Sequence, residues 1–252
     1  MLEGYVKESF TAPIASDRKV THDFYSKGDQ SATIVIIQEA PGIGPETLAL
    51  ADRMHKQGFR VVLPHLFGPL GRTSRVGNLA RVFCMRREFH LFEKNHSSPV
   101  VDWLKALCRH LRLENGARNI GVIGMCLTGN FALTLVAEDS VLAAVASQPS
   151  LPIQDKHGLA MSDREIAATR EKLDTKGPML ALRFSGDRLC SAARFSAIDK
   201  AFNDDRERVR FLEIPGDGHS TLTLDFIRGG EPAREALSEV IAYFRQRLCD
   251  AA

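Results

Sequence analysis

Cys126 is the residue whose surroundings point most clearly to chemistry. In the stretch 120–131 (IGVIGMCLTGNF), a β-branched run ends at Gly124, Cys126 follows two residues later, and a helical pattern begins at once. A nucleophile flanked by small residues between a strand and a helix is typical of the nucleophile elbow. The free N–H groups at such a helix start favour a thiolate and later an oxyanion. Thr128 stands where glycine is usual, with Gly129 next, so we expect slight crowding there.

A cysteine nucleophile needs a base, and the base needs an acid that orients it. In elbow-based hydrolases the chain order is nucleophile, acid, histidine. Asp187 follows a predicted strand that ends at Phe184, and His219 follows the next one, which ends at Ile214. Alone, Cys126 could be a buried core thiol, Asp187 a turn residue and His219 a solvated one. Their order and their positions after successive strands favour catalysis.

An oxyanion site is predicted beside the nucleophile. Glu39 and Ala40 follow directly after the apolar run 32–38, at the same edge of the predicted sheet. The backbone N–H groups of Ala40 and Leu127 could together bind the oxyanion of a tetrahedral intermediate. By itself, Glu39 is equally well explained as a loop residue that caps a helix.

The elements that must position these residues alternate between strand and helix from about residue 30 onward. Such βα units predict an α/β fold with a mostly parallel sheet and helices on both faces. Residues 16–27 alternate polar and apolar, which suggests an antiparallel edge strand. We interpret residues 1–252 as a single domain. The predicted core strands are 32–38, 60–63, 119–123, 141–147, 179–184 and 209–214, and the predicted helices are 46–57, 99–113, 127–138, 163–173, 192–202 and 231–248.

The segment from about 66 to 96 interrupts this alternation. Inserts of this size often form part of a lid or a substrate wall. A peripheral helical segment without a role explains it equally well.

Composition excludes several classes of protein. Lys and Arg number 33 against 31 Asp and Glu, which gives little electrostatic reason to bind nucleic acid. No signal peptide and no apolar run of membrane-spanning length is visible, and five widely spaced cysteines without CxxC suit a reducing cytoplasm. The histidines show no metal-binding spacing, so we expect no metal and no cofactor. A dinucleotide site at Gly42-Ile43-Gly44 is disfavoured because the spacing demands glycine where Thr47 stands.

With QEAPG, GMCLTG, SGD and DGH in this order, the chain resembles the dienelactone hydrolase family of α/β hydrolases. The likeness covers most of the chain, and a cysteine in the elbow is unusual among α/β hydrolases. The resemblance implies the α/β-hydrolase fold, a Cys126–His219–Asp187 triad, and hydrolysis of a small ester or lactone. It also implies that Glu39 contacts the nucleophile at rest and is displaced by substrate, so that it gates thiolate formation.

One departure concerns the substrate. Family members that act on dienelactone hold its carboxylate with arginines, one of them a few residues after the histidine. Here the stretch 219–223 reads HSTLT, with no arginine before Arg228. Arginines of the insert could serve instead, so the natural substrate stays open, as does the oligomeric state; they are Arg72, Arg75, Arg81, Arg86 and Arg87.

A non-enzymatic alternative is a redox or small-molecule-binding relative in which Cys126 reacts with oxidants. The accompanying acid and histidine argue against it, because redox sensing needs neither.

Overall fold

A mostly parallel β-sheet forms the centre of the protein, which the computed structural model describes at residues 2–14, 18–40, 42–72, 98–113, 117, 119–150, 159 and 161–250. The strands are β1 (Val6–Ile14), β2 (Arg18–Lys27), β3 (Ala32–Ile37), β4 (Arg60–His65), β5 (Asn119–Met125), β6 (Val141–Ser147), β7 (Met179–Phe184) and β8 (Val209–Ile214). Their order across the sheet is β1-β2-β4-β3-β5-β6-β7-β8. β2 is antiparallel to both of its neighbours, β1 and β4, and the strands β3 to β8 all run parallel to one another.

Helices cover both faces of this sheet. They are α1 (Pro45–Lys56), α2 (Pro99–Leu113), α3 (Gly129–Leu135), α4 (Asp163–Lys176), α5 (Ala192–Phe202) and α6 (Gly230–Leu248). The predicted α/β-hydrolase architecture is therefore confirmed. None of the helices in the described ranges is both long enough and apolar enough to cross a bilayer.

Two hydrophobic cores result from this layering. Every residue of β3 is buried, as expected for a β-branched strand covered on both faces. Its side chains alternate: Val35 belongs to the core that includes residues of α2 to α5, and Ile34 belongs to the core that includes residues of α1 and α6. Trp103 lies at the centre of the first core, and Phe244 lies in the second.

The chain changes direction across the sheet between β3 and β5. It steps outward from β3 to β4, and then returns past β3 to β5. To keep right-handed crossovers, α1 and α2 must lie on opposite faces. A crevice forms outside the carboxyl ends of strands at such a switch point, and ligands bind there in open α/β sheets.

The N-terminal region differs from the prediction in one respect. Residues 18–27 are an antiparallel strand, as expected, but β2 is not at the edge of the sheet. β1 pairs along its length and forms the edge instead. Its side chains are mostly exposed or half-buried, so the apolar pattern that would have announced it is weak.

The predicted insert lies largely outside the described residues. Only its beginning, up to Arg72, is described, and Arg75, Arg81, Arg86 and Arg87 fall beyond it. Its role as a lid or substrate wall therefore stays a prediction.

Candidate active site

Cys126 lies in a sharp turn at the carboxyl end of β5. Its backbone has a φ of 59°, a left-handed conformation that is rare for residues other than glycine. A single 3-10 turn, Cys126–Thr128, follows directly and leads into α3. Gly124 makes this turn possible, because a Cβ there would lie 2.1 Å from the Thr128 carbonyl oxygen. The geometry is that of a nucleophile elbow, and it leaves the thiol partly exposed.

Thr128 fits this turn because its side chain is directed toward the end of β3. Its Oγ1 accepts a hydrogen bond from the Met125 N–H at 2.9 Å. The same hydroxyl lies 3.1 Å from the Gln38 carbonyl oxygen and 3.3 Å from that of Ile37. The threonine is thus accommodated by hydrogen bonds rather than crowded, and it ties the elbow to the strand that precedes Glu39 and Ala40.

His219 and Asp187 form a hydrogen-bonded pair on neighbouring loops. Nδ1 of His219 lies 2.7 Å from Oδ2 of Asp187, and the Asp187 side chain is only 1% exposed. The other carboxylate oxygen accepts from the N–H groups of Leu189 and Cys190 at 2.8 and 3.0 Å. Asp187 is therefore fixed by its own loop, and it fixes the imidazole in turn.

The loop that carries His219 is anchored to the end of β6. Thr221 donates from Oγ1 to Oε1 of Gln148 at 2.9 Å, and it also contacts the Ser147 hydroxyl. Gln148 is fully buried and has a φ of 35°, so its backbone is strained. Since β6 is the neighbour of β5, this anchor brings the histidine loop toward the elbow.

The protonation of His219 reflects its two neighbours. Burial lowers its pKa, but the hydrogen bond to Asp187 and the interaction with Cys126 outweigh burial and raise the pKa to about 10. Nε2 is buried and has no partner of standard hydrogen-bond geometry among the described residues. Cys126 nevertheless lies near enough to favour the imidazolium form of His219.

Glu39 is buried beside this loop and faces two hydroxyl groups. Ser220 Oγ donates to Oε2 at 2.7 Å, and Thr223 Oγ1 donates to Oε1. Burial raises the pKa of this carboxyl even though the two hydroxyls and His219 act to lower it. Among the described contacts its partners are these hydroxyls, whereas the resemblance implies contact with Cys126 at rest.

These partners were not singled out from the sequence. The stretch HSTLT lacks the arginine of the family pattern, yet its Ser220 and Thr223 bind the buried Glu39. Arg228, the first arginine after His219, is exposed and lies 3.5 Å from Asp225. A run of hydroxyl residues after the histidine is the signal that could have revealed this contact.

The two backbone groups predicted for the oxyanion site lie at the same edge of the sheet. Ala40 follows the end of β3, and its N–H donates no hydrogen bond to another described residue. Leu127 lies in the first turn after Cys126, where N–H groups lack intrahelical partners. Either group can therefore donate to a ligand oxygen.

Ser150 is a further neighbour of the nucleophile. It follows β6, and its Oγ lies 3.3 Å from Cys126 Sγ. The four described cysteines, Cys108, Cys126, Cys190 and Cys249, are free thiols. No cluster of three or more potential metal ligands occurs among the described residues.

Comparisons with known proteins agree on one family. A sequence model of the dienelactone hydrolase family matches residues 22–248. A protein of Methylorubrum extorquens, provisionally named a carboxymethylenebutenolidase, is 21% identical over 226 residues, covering 88% of this chain and 74% of that protein.

Solved structures show the same fold. One provisionally named dienelactone hydrolase from Klebsiella pneumoniae matches with a TM-score of 0.68 and 16% identity, covering 96% of this chain and 99% of that one. The dienelactone hydrolase from Anabaena variabilis matches with a TM-score of 0.63 and 13% identity, covering 98% and 100%. Since the family match spans most of the sequence, the chain belongs to the dienelactone hydrolase family, and with it to the carboxylic ester hydrolases.

Proposed function

We propose that this protein hydrolyses a small carboxylic ester or lactone with Cys126 as its nucleophile. The observation that carries the proposal is the linked arrangement at the sheet edge. Asp187 is hydrogen-bonded to His219, and the pKa of His219 is raised by Cys126 as well as by Asp187. Family membership supplies the reaction class, and these side chains supply a mechanism.

The proposed reaction has two steps. His219 takes the proton of Cys126, and the thiolate attacks the carbonyl carbon to give a tetrahedral oxyanion held by the N–H groups of Ala40 and Leu127. Collapse of this intermediate forms a thioester, and the imidazolium protonates the departing alkoxide. Water then attacks the thioester while His219 accepts its proton, releasing the carboxylic acid and restoring Cys126. With a lactone, the alcohol and the acid leave as one hydroxy acid.

We assign Glu39 the role of a gate in this mechanism. Its negative charge lies near His219, so its ionisation would favour the imidazolium. To act as a gate, the carboxylate would have to break its hydrogen bonds with Ser220 and Thr223 and contact Cys126 instead. Glu39→Gln should therefore change the rate at which Cys126 is alkylated, and alkylation kinetics that match the wild type at every pH would remove this role.

The chemistry of the site suits a small-molecule substrate, and free thiols suit a reducing compartment. We therefore propose a cytoplasmic location. Hydrolysis rates on a panel of lactones and short-chain esters would identify the preferred acyl and alcohol groups of the substrate.

Replacement of the nucleophile tests the proposal directly. We expect Cys126→Ala to lower kcat/KM for an activated aryl ester by at least about 10³-fold, because the covalent step is lost. Cys249→Ala, at an exposed position near the C-terminus of α6, is the matched control and should keep wild-type rates. Equal rates for Cys126→Ala and the wild type would reject the mechanism. Absence of turnover on the whole panel, together with fast oxidation of Cys126 by peroxide, would favour the redox alternative.

A further inference from the structure

Ser150 is held against the nucleophile by its own backbone. Its N–H donates to the Cys126 carbonyl oxygen at 3.1 Å. Its carbonyl oxygen accepts from Asn130 Nδ2 at 2.8 Å, and the same amide group donates to the Leu127 carbonyl oxygen at 3.0 Å. The residue is therefore fixed to the strained elbow at two points.

Gly129 permits this close approach. A Cβ at Gly129 would lie 2.9 Å from Pro149 Cα and 3.0 Å from the Ser147 carbonyl oxygen. A larger residue would push α3 away from the chain that leaves β6. Gly129 follows Thr128, which stands where a nucleophile elbow usually has glycine. The absence of a side chain at Gly129 thus allows Ser150 to reach Cys126.

The Ser150 hydroxyl can act as a donor to sulfur. Oγ lies 3.3 Å from Cys126 Sγ, within hydrogen-bond range for sulfur, and Ser150 is only 7% exposed. A thiol is a weak donor, and a thiolate has no proton to donate. Once Cys126 loses its proton, the bond can therefore run in one direction only, from the hydroxyl to the sulfur.

We propose that Ser150 is a further residue of the reaction, which donates a hydrogen bond to the Cys126 thiolate and stabilises it relative to the thiol. The inference rests on the proposed function, since it assigns the thiolate a role. Hydrogen bonds to charged groups are stronger than those to neutral ones, so the bond shifts the thiol equilibrium toward the anion. It also assists the second step, in which the thiolate leaves the thioester.

The pH dependence of Cys126 alkylation measures this effect without a substrate. Iodoacetamide labelling, followed for the Cys126 peptide by mass spectrometry, gives the midpoint at which the thiolate forms. In Ser150→Ala, which keeps the backbone N–H, we expect this midpoint to rise by about one pH unit, equivalent to an about tenfold smaller thiolate population below the midpoint. Ester hydrolysis at neutral pH should fall by a similar factor, and the difference should vanish at high pH.

Two comparisons separate the hydroxyl from general packing. Ser140→Ala removes a buried hydroxyl outside the site and should leave the midpoint unchanged. Ser150→Thr and Ser150→Val have nearly the same shape and differ in the hydroxyl, so the threonine variant should show the lower midpoint. If circular dichroism shows that Ser150→Ala is unfolded, the threonine and valine variants still test whether the hydroxyl stabilises the Cys126 thiolate.

The failure of this inference is distinct from the failure of the proposed function. Equal midpoints for Ser150→Ala and the wild type, or for the threonine and valine variants, would overturn the role of Ser150. Loss of activity in Ser150→Ala with an unchanged midpoint would also overturn it, because the hydroxyl would then act on the substrate. Full hydrolysis by Cys126→Ala would instead reject the nucleophile itself.

Discussion

At the scale of single residues, the site combines a readily protonated imidazole with a buried carboxyl whose pKa is raised above that of an ordinary surface acid. His219 gains a proton more readily because of Asp187 and Cys126, despite its burial. Glu39 holds its proton more firmly because burial outweighs its two hydroxyl partners. Glu39 lies just after β3 and His219 on the loop after β8, and Ser220 and Thr223 of that loop bind Glu39.

The pKa of Glu39 leads to a prediction about stability and pH. Because burial raises the folded-state pKa above the ordinary value of 4.5, the folded protein keeps this proton as pH rises past that value, whereas the unfolded chain loses it. Its stabilising contribution is fully present below pH 4.5 and is lost as pH rises through the folded-state pKa. Glu39→Gln cannot ionise, so the free energy of unfolding of the variant relative to the wild type should increase from pH 4 to pH 8.

Urea unfolding at both pH values measures this difference. Glu235→Gln, at an exposed position on α6, is the control for the loss of one carboxylate. If the difference between Glu39→Gln and the wild type stays constant across this range, Glu39 does not titrate as described.

At the scale of elements, each candidate site residue follows a strand, and two of these strand ends make a close contact that only glycine allows. Gly124 makes room for the turn after β5, and Gly129 makes room for the chain after β6. At Gly186, between the loops after β7 and β8, a Cβ would lie 2.1 Å from Oδ1 of Asp217, a side-chain atom that can rotate away, and 3.1 Å from the Gly216 carbonyl oxygen. The close contacts at Gly124 and Gly129 therefore leave little room for the backbone beside Cys126 to move.

Gly124→Ala tests how strictly the elbow depends on this packing. The new Cβ would overlap the Thr128 carbonyl oxygen, so the turn must shift and carry Cys126 with it. We expect a loss of at least about 100-fold in kcat/KM, as for other small displacements of reacting groups. The unfolding free energy should fall by roughly 1–3 kcal/mol through overpacking.

Gly58→Ala is the matched control for this substitution. Gly58 has a φ of 90°, but no atom lies within 4 Å of a Cβ there. Backbone strain alone should lower its stability by about 1–2 kcal/mol without changing the rate of ester hydrolysis. Wild-type activity in Gly124→Ala would show that the elbow tolerates the displacement.

At the scale of the whole molecule, two cores support the sheet, while the candidate active site lies at its carboxyl edge. Phe244 of α6 packs against Gly121, where a Cβ would lie 2.5 Å from the ring. Gly121 is near the start of β5, and Cys126 follows its end. The core contact of Phe244 and the proposed nucleophile thus lie near opposite ends of one strand.

Phe244→Ala should lower the stability of the protein without changing its rate of ester hydrolysis. Removal of this fully buried ring leaves a cavity, so we expect the unfolding free energy to fall by about 3–5 kcal/mol. Below the unfolding transition, kcat/KM and the pH midpoint of Cys126 alkylation should match the wild type. Leu113→Ala, at a side chain that is 79% exposed, is the control and should change stability by less than about 0.5 kcal/mol. A changed midpoint in Phe244→Ala would show that the core and the site are coupled.

The order of motifs along the chain was sufficient to predict the architecture and to group Cys126, Asp187, His219 and Glu39. This is possible because parallel strands direct their carboxyl ends to one edge, so any residue that follows a strand arrives at the same place. Local pattern also marked the elbow, since Gly124 and Cys126 lie within one turn. It missed β1, because a strand with few buried side chains has a weak apolar pattern.

Only the tertiary structure decided which side chains touch at that edge. Glu39 meets Ser220 across 181 residues, Thr128 meets Gln38 across 90, and Cys126 meets Ser150 across 24. Such contacts depend on strand order, on the close approaches at glycines, and on how each loop is anchored. A periodic pattern records which face of an element is buried, but it contains no information about the partner that a loop hydroxyl finds across the sheet.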